Sequence, residues 1–179
     1  GKNASNSALS QVITADRDGN FDVYNIDGQK LYTVNNAHKS AINDIMYAPD
    51  DKVFYTFSYD QTIKTWNAAN GKLLGTLYLF DEGSDYVFVN KDGRFDGTPE
   101  GIKKLYYLKD RKVVTLDKIY EKFYTPNLYQ RLLNGEEFDP INIIIKGTPK
   151  VKIAYAEATR NLDVEEDVPT YQNKTGFAD

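Results

Sequence analysis

An internal repeat is the feature of this sequence that most limits how the chain can fold. Tyr24 and Trp66 lie 42 positions apart, and at that offset the residues around them agree. The matched pairs are Asp18 with Asp60, Phe21 with Ile63, Val23 with Thr65, and Asn25 with Asn67. With one further residue of offset, Gly28-Gln29-Lys30-Leu31 matches Gly71-Lys72-Leu73-Leu74. The repeat predicts similar units packed side by side, because one such unit cannot bury its apolar face alone.

The repeated segments have the pattern of short strands. Phe21 and Val23 alternate with polar residues, and Ile63 and Thr65 do so in the second copy. This alternation is typical of a half-buried strand. Each segment is followed by a hairpin signal, Asp27-Gly28 in the first copy and Asn70-Gly71 in the second, because such dipeptides supply the positive backbone angles of tight turns. Residues 42–47 and 52–57 predict two more strands.

One complete unit carries a recognisable set of marks. They are Ala37-His38, the strand at 42–47, Pro49-Asp50, the strand at 53–58, Asp60 and Trp66-Asn67. This set resembles a WD40 repeat, and residues 11–34 resemble the last two strands of the repeat before it. The resemblance implies a mainly β fold of WD40-type four-stranded antiparallel blades, forming part of a propeller. The sequence departs from the family pattern at Ala37, Asn67 and Tyr24, where Gly, Asp and Trp are usual.

The resemblance also implies a structural tetrad of His38, Thr56, Asp60 and Trp66, buried and hydrogen-bonded within one blade. Residue types alone offer an alternative, a catalytic triad of Ser58, His38 and Asp60, since a hydrolase needs a nucleophile, a base and an orienting carboxylate. No nucleophile-elbow sequence surrounds Ser58. We therefore favour the structural tetrad and predict no catalytic residue.

Beyond residue 79 the pattern changes to hairpins followed by helices. Residues 86–97 and 106–114 predict two hairpins. Helical spacing after Thr115 predicts a first helix, and Thr125-Pro126 predicts the start of a second helix that ends at Asn134-Gly135. The aromatic side chains of Tyr120, Phe123, Tyr124 and Tyr129 are expected to pack these helices onto the sheet.

Residues 85–138 resemble a segment that often follows bacterial WD40 repeats, in chains some of which also contain a caspase-like peptidase domain. The residues that carry this likeness are Asp92-Gly93-Arg94-Phe95-Asp96-Gly97, Pro99-Glu100-Gly101, Phe123-Tyr124-Thr125-Pro126 and Leu132-Leu133-Asn134-Gly135. The predicted organisation is a polar leader or linker at 1–10, about one and a half blades at 11–79, and hairpins with two short helices capping the blades at 80–138. Residues 139–179 are expected to form a strand-like extension and an acidic tail.

Composition excludes several classes of function. The sequence has no cysteine, so it offers no disulfide, thiolate metal site or cysteine nucleophile. Its 22 basic and 26 acidic residues give a net charge of −4, and a net negative charge does not favour binding to duplex nucleic acid. No apolar run approaches the roughly 18 residues that span a bilayer, so no membrane span is predicted. Residues 1–10 are small and polar, unlike a signal peptide.

Two further motifs have a chemical and a structural interpretation. Asp16, Asp18 and Asp22 surround Gly19 in the manner of a calcium loop, but alignment with the Asp60 turn favours a structural hairpin. The turn that contains Asp92 and Asp96 is interpreted in the same way, and we predict no metal or other cofactor. A basic cluster at 103–104 and 109–112 flanks Tyr106 and Tyr107, a pattern that suits single-stranded nucleic acid. A hairpin with a charged turn is favoured, so no nucleic-acid partner is predicted.

The expected function is a non-enzymatic protein-interaction scaffold, a fragment of a larger bacterial multidomain protein. Two alternatives stay open: a regulatory or substrate-recruiting region of a caspase-like peptidase, and an extracytoplasmic glycan- or ligand-binding module. The expected partner is a protein, with self-association through exposed blade faces as one form, because a blade without neighbours leaves both of its faces open to water.

Overall fold

The first repeat unit forms a four-stranded antiparallel sheet. In the computed structural model, which describes residues 1–109, 111–139, 141 and 149–151, this sheet has the order β1-β2-β3-β4. Its strands are β1 (Lys2–Ser5), β2 (Gln11–Ala15), β3 (Phe21–Asn25) and β4 (Lys30–Val34). The prediction of a leader at 1–10 is wrong for Lys2–Ser5, which form a strand. Residues 11–34 contain three strands, whereas two were expected. The polar sequence of β1 becomes a strand because β2 provides a hydrogen-bonding edge, with Ala4 opposite Ile13.

The second sheet contains the complete repeat and continues beyond it. Its first four strands are β5 (Ile42–Tyr47), β6 (Val53–Ser58), β7 (Thr62–Asn67) and β8 (Leu73–Phe80). The hairpin of β9 (Asp85–Val89) and β10 (Phe95–Gly97) then pairs with β8, giving six antiparallel strands in chain order. This hairpin was expected to cap the blade, but it extends the sheet by two strands at the β8 edge.

The two sheets pack face to face around an aromatic core. Phe21 of the first sheet meets Phe54 and Trp66 of the second with ring centroids 5.4 and 5.0 Å apart, both in edge-to-face geometry. Ile13 and Val23 complete the first sheet's contribution, and all five side chains are buried. β1 lies beside β5, so the first strands of the two units are neighbours. This packing explains the repeat, because each copy supplies one apolar face.

A second core lies beneath residues 85–124. Strands β11 (Leu105–Lys109), β12 (Lys112–Thr115) and β13 (Lys150–Val151) form a three-stranded sheet with β11 in the centre. Helix α1 (Pro99–Ile102) precedes it, and a 3₁₀ turn (Leu116–Ile119) leads into helix α2 (Tyr120–Phe123). The buried members of this core include Val87, Phe95, Leu105, Tyr107, Leu116 and Phe123.

Helix α3 (Leu128–Leu133) begins later than the sequence predicts. Thr125 and Pro126 precede it, and Asn127 occupies the cap position in a left-handed conformation with φ of 56°. The Asn127 amide donates to the Asp96 carboxylate at 2.8 Å, which holds this start in place. The predicted end at Asn134-Gly135 agrees with the structure. The predicted first helix is shorter than expected, since its first turn is 3₁₀.

Most of the expected extension and acidic tail at 139–179 lies outside the described residues, and β13 is the one strand described there. In the described part of the chain, no helix is both long and apolar enough to cross a membrane.

Candidate functional site

Four polar residues of the second repeat meet inside its sheet. His38 lies in the loop between β4 and β5, Thr56 on β6, Asp60 in the turn that joins β6 to β7, and Trp66 on β7. The strand register places Phe54 opposite Trp66 and Thr56 opposite Lys64, so the Thr56 and Trp66 side chains share one face. His38 and Thr56 are 1% and 0% exposed, and Trp66 is 3% exposed.

The four side chains form one continuous chain of hydrogen bonds. The Trp66 indole N–H donates to Thr56 Oγ1 at 2.8 Å. Thr56 Oγ1 lies 2.6 Å from His38 Nε2, and His38 Nδ1 lies 2.9 Å from Asp60 Oδ2. The arrangement has one consistent proton order: Thr56 donates to Nε2, and the Nδ1–H of a neutral imidazole donates to the carboxylate. The structure thus brings together all four residues of the expected tetrad.

Burial sets the ionisation of this network. Burial lowers the pKa of His38 below its ordinary value, although the Asp60 carboxylate acts in the opposite direction. Burial would raise the pKa of Asp60, but hydrogen bonds from His38 and Thr62 hold it well below its ordinary value. A neutral histidine beside an ionised aspartate follows, since desolvation disfavours imidazolium while donated hydrogen bonds favour carboxylate.

Asp60 also shapes the loops around it. It accepts the backbone N–H of Lys39 at 2.9 Å and the Thr62 hydroxyl at 2.6 Å. One carboxylate therefore joins the loop before β5 to the turn before β7. Sequence reasoning missed Thr62, although its position two residues after Asp60 is the usual spacing for a side chain that closes a turn on an aspartate.

The first repeat lacks this network and has a local substitute. The Asp16 carboxylate accepts the backbone N–H groups of Asp18 and Asn20 at 2.9 and 2.8 Å. Tyr24, at the Trp66 position, turns outward and donates to Asp22 at 3.2 Å. Asp22 also pairs with Lys30 at 3.0 Å. The carboxylates of Asp16 and Asp22 are thus engaged in turn and surface contacts. No cluster of three metal-ligating side chains occurs among the residues that the structure describes.

The alternative catalytic triad does not assemble. The Ser58 hydroxyl donates to the backbone carbonyls of Ser40 and Ala41 at 3.2 and 3.0 Å. Both ring nitrogens of His38 are already engaged by Thr56 and Asp60. A base must reach its nucleophile, and His38 bonds Thr56 instead of Ser58.

The basic segment near Tyr106 and Tyr107 is a hairpin, the favoured interpretation. Strands β11 and β12 pair across its charged turn. Both tyrosines are buried, so their rings are not available for stacking on bases. Lys103 pairs with Glu100 at 2.7 Å, and Lys104 pairs with Asp81.

One face of the second sheet is apolar and open. We call it the outer face; it is turned away from the first sheet and carries Met46, Tyr55, Phe57, Ile63, Leu77, Leu79 and Tyr86. Met46, Leu79 and Tyr86 are 53%, 44% and 41% exposed. A groove of about 480 Å³ crosses this face, lined by Ile63, Leu77 and Tyr86 among others.

Helix α3 covers one end of the outer face through Tyr129. The Tyr129 ring meets Phe88 edge-to-face at 5.4 Å, and its hydroxyl hydrogen-bonds that of Tyr55. Tyr120 and Tyr124 pack around Phe95. Their two rings stack with centroids 4.3 Å apart, and each centroid lies 6.0 Å from the centroid of the Phe95 ring. These contacts agree with the expected packing role of the aromatic residues.

Comparison with known proteins finds similarity over part of the chain. No family model matches. A segment of 41 residues is 49% identical to the U3 small nucleolar RNA-associated protein 13 of Saccharomyces cerevisiae, covering 23% of this chain and 5% of that protein.

The solved structures that resemble this chain include two propeller-type domains. The C-terminal WD40 domain of Sif2 has a TM-score of 0.40 at 15% identity, over 54% of this chain and 30% of that one. The β-propeller domain of Cps50 (Swd1) from Myceliophteria thermophila has a TM-score of 0.39 at 8% identity, over 53% and 32%. The chain thus spans about a third of these structures. The described strands form antiparallel sheets of four, six and three strands, and the described helices are few and short.

Proposed function

We propose that this chain is a non-enzymatic protein-interaction module and that the outer face of its second sheet is the contact surface. The observation that carries the proposal is the open apolar row on that face, with Met46, Leu79 and Tyr86 each more than a third exposed. Large apolar patches on a protein surface usually mark interaction sites. WD40-type repeats generally serve as interaction scaffolds, and this supports the same class of function here.

The proposed partner is another sheet of the same kind. Phe21 of the first sheet already packs against Trp66 of the second, so sheet-on-sheet contact is how this chain buries its repeat faces. A closed propeller usually has about 4–8 blades, and the described residues supply two repeat sheets. A further sheet on the outer face would come from a second copy or from more blades of a longer parent protein. The likeness of residues 85–138 to a segment after bacterial WD40 repeats supports a multidomain bacterial parent.

Self-association is tested by sedimentation equilibrium over a wide range of protein concentration. We expect wild-type chains to associate as concentration rises and Leu79→Lys to shift the equilibrium toward monomer, because a charge on the outer face must be desolvated on contact. Leu9→Lys is the control, since Leu9 is also an exposed leucine, 62% against 44% for Leu79, but lies in the turn between β1 and β2. A monomeric wild type throughout would exclude a second copy as the partner, and association that Leu79→Lys leaves unchanged would contradict the assignment of this face.

The absence of catalysis is tested separately with generic esterase and peptidase probes. We expect no turnover above background, because the Ser58 hydroxyl donates to backbone carbonyls and His38 is engaged on both nitrogens. Turnover that disappears in Ser58→Ala would refute the non-enzymatic proposal.

A further inference from the structure

Helix α3 rests on the outer face, the surface assigned above to a docking sheet. The Tyr129 ring packs edge-to-face on Phe88 with centroids 5.4 Å apart, and the Tyr129 hydroxyl hydrogen-bonds that of Tyr55. Phe88 lies directly opposite Leu77 in the strand register, and directly opposite residues share one face of a sheet. Both contacts of Tyr129 are therefore made on the outer face.

Helix α3 and a docking sheet would occupy the same layer. Two stacked sheets pack about 10 Å apart, and a helix with its side chains is about 10–12 Å across. Tyr55 belongs to β6 and Phe88 to β9, so the contacts of Tyr129 span from one of these strands to the other. A second sheet cannot cover this end of the outer face while α3 lies there.

Few interactions hold α3 in this position. Of its six residues, Leu128 is the one that is fully buried. Asn127, just before the helix, has a left-handed φ of 56°, which is uncommon for a residue other than glycine. The Asp96 carboxylate offsets this strain by accepting the Asn127 N–H at 2.8 Å. The closed position of α3 thus depends on Leu128, on Tyr129 and on the bond to Asp96.

The chain on either side allows α3 to move as a unit. The Thr125 N–H donates to the Phe95 carbonyl at 2.8 Å, which anchors the chain just before the helix. Gly135 follows the helix with φ of 76°, a conformation that glycine adopts without steric cost. Hinged segments turn at a few residues of this kind at the ends of an element. Rotation at Asn127 and Gly135 would therefore lift α3 while β10 keeps its place in the sheet.

We propose that α3 is an autoinhibitory cap of the outer face. In the closed state Tyr129 occupies the face, and a docking sheet binds only the open state, in which α3 has moved away. The cap rests on the proposed function, because it controls access to the same surface. When only a fraction of the molecules is competent to bind, the apparent dissociation constant rises by the inverse of that fraction. Release of α3 should therefore strengthen association, and association should release α3.

Sedimentation equilibrium of Tyr129→Ala tests the first consequence. This variant loses the contacts with Phe88 and Tyr55, so we expect it to self-associate at least 10-fold more tightly than the wild type. Tyr120→Ala is the matched control, because Tyr120 is 40% exposed and packs against Phe95 on the other face of the sheet. It should associate within about twofold of the wild type.

The double variant Tyr129→Ala/Leu79→Lys shows which surface the released chain uses. We expect it to return toward monomer, with a circular dichroism spectrum like that of the wild type. Association as tight as that of Tyr129→Ala alone would place the contact elsewhere and overturn the cap. Equal association of wild type and Tyr129→Ala, weakened in both by Leu79→Lys, would overturn the cap and leave the outer face as the contact surface. Absence of association in wild type and Tyr129→Ala alike would overturn the cap and also exclude a second copy as the partner.

Hydrogen exchange of the wild-type chain tests the second consequence. The N–H groups of Arg131 and Asn134 each donate at 3.0 Å, to the carbonyls of Asn127 and Gln130. A helix of six residues is not stable without its packing, so both amides should exchange at least 10-fold faster at a concentration where the chain is associated than where it is monomeric. Unchanged or slower exchange on association would show that α3 stays in place and would overturn the cap.

Discussion

Replacement of Thr56 by valine isolates the energetic role of the tetrad. Valine has nearly the same shape as threonine but cannot hydrogen-bond, so Thr56→Val leaves the Trp66 indole N–H without its acceptor and His38 Nε2 without its donor. Both partners are almost fully buried. A buried neutral group left unsatisfied costs about 1–3 kcal/mol. Two such groups cost about 2–6 kcal/mol, and the added methyl offsets roughly 1 kcal/mol of this.

We therefore expect Thr56→Val to lower the free energy of unfolding by about 3 kcal/mol. Urea denaturation followed by Trp66 fluorescence and by far-ultraviolet circular dichroism measures this loss, because both probes should report the same transition if the chain unfolds cooperatively. With a slope of about 2 kcal/mol/M, the midpoint should fall by roughly 1.5 M urea.

Two further variants decide whether the hydroxyl is responsible. Thr56→Ser keeps the hydroxyl and loses a methyl, so it should cost only about 1 kcal/mol. Thr14→Val makes the same exchange as Thr56→Val at an exposed position of β2 and should change stability by less than about 0.5 kcal/mol. If Thr56→Val is no more destabilising than Thr14→Val, or less destabilising than Thr56→Ser, the reasoning about the tetrad is refuted.

Three other predictions address protonation and packing. Stability should fall as pH decreases below about 6.5, because the pKa of His38 is lowered in the folded state and the unfolded chain then binds more protons. His38→Gln should therefore make the urea midpoint less dependent on pH between pH 7 and 5. An unchanged pH dependence in this variant would count against the neutral histidine. Gly75→Ala should cost about 1–3 kcal/mol, since the new methyl would overlap the Phe88 ring, and adding Phe88→Leu should recover part of the loss in the same urea assay. Tyr129→Phe should cost about 1 kcal/mol by removing the bond to the Tyr55 hydroxyl; if the further change Tyr55→Phe is fully additive, these hydroxyls do not interact.

The repeat and the tetrad residues could be predicted from sequence because they depend on spacing. A 42-residue offset aligns Phe21 with Ile63 and Tyr24 with Trp66, and both copies fold into antiparallel sheets. Strand β1 could not be predicted, because its four residues contain no alternating apolar pattern and become a strand by pairing with β2. A strand that forms because it pairs with a neighbouring strand need not show a periodic apolar pattern in its own sequence.

The strand pairing at the edge of the second sheet could not be predicted from the sequence, for a related reason. The hairpin of β9 and β10 could be recognised from its turn, but local pattern does not say which edge it will join, and the structure pairs it with β8. The start of α3 depends on Asp96, which accepts the Asn127 amide from 31 residues away in the chain.

The contact between Gly19 and His38 has a consequence for how the chain opens. The His38 N–H donates to the Gly19 carbonyl at 3.0 Å, so a tetrad residue of the second sheet is also bonded to a turn of the first. Gly19 has φ of 82°, and a side chain there would meet the His38 backbone. Separation of the two sheets must therefore break this hydrogen bond. In native-state hydrogen exchange, the His38 amide should therefore exchange together with core amides of both sheets, as a marker of one shared unit of local unfolding.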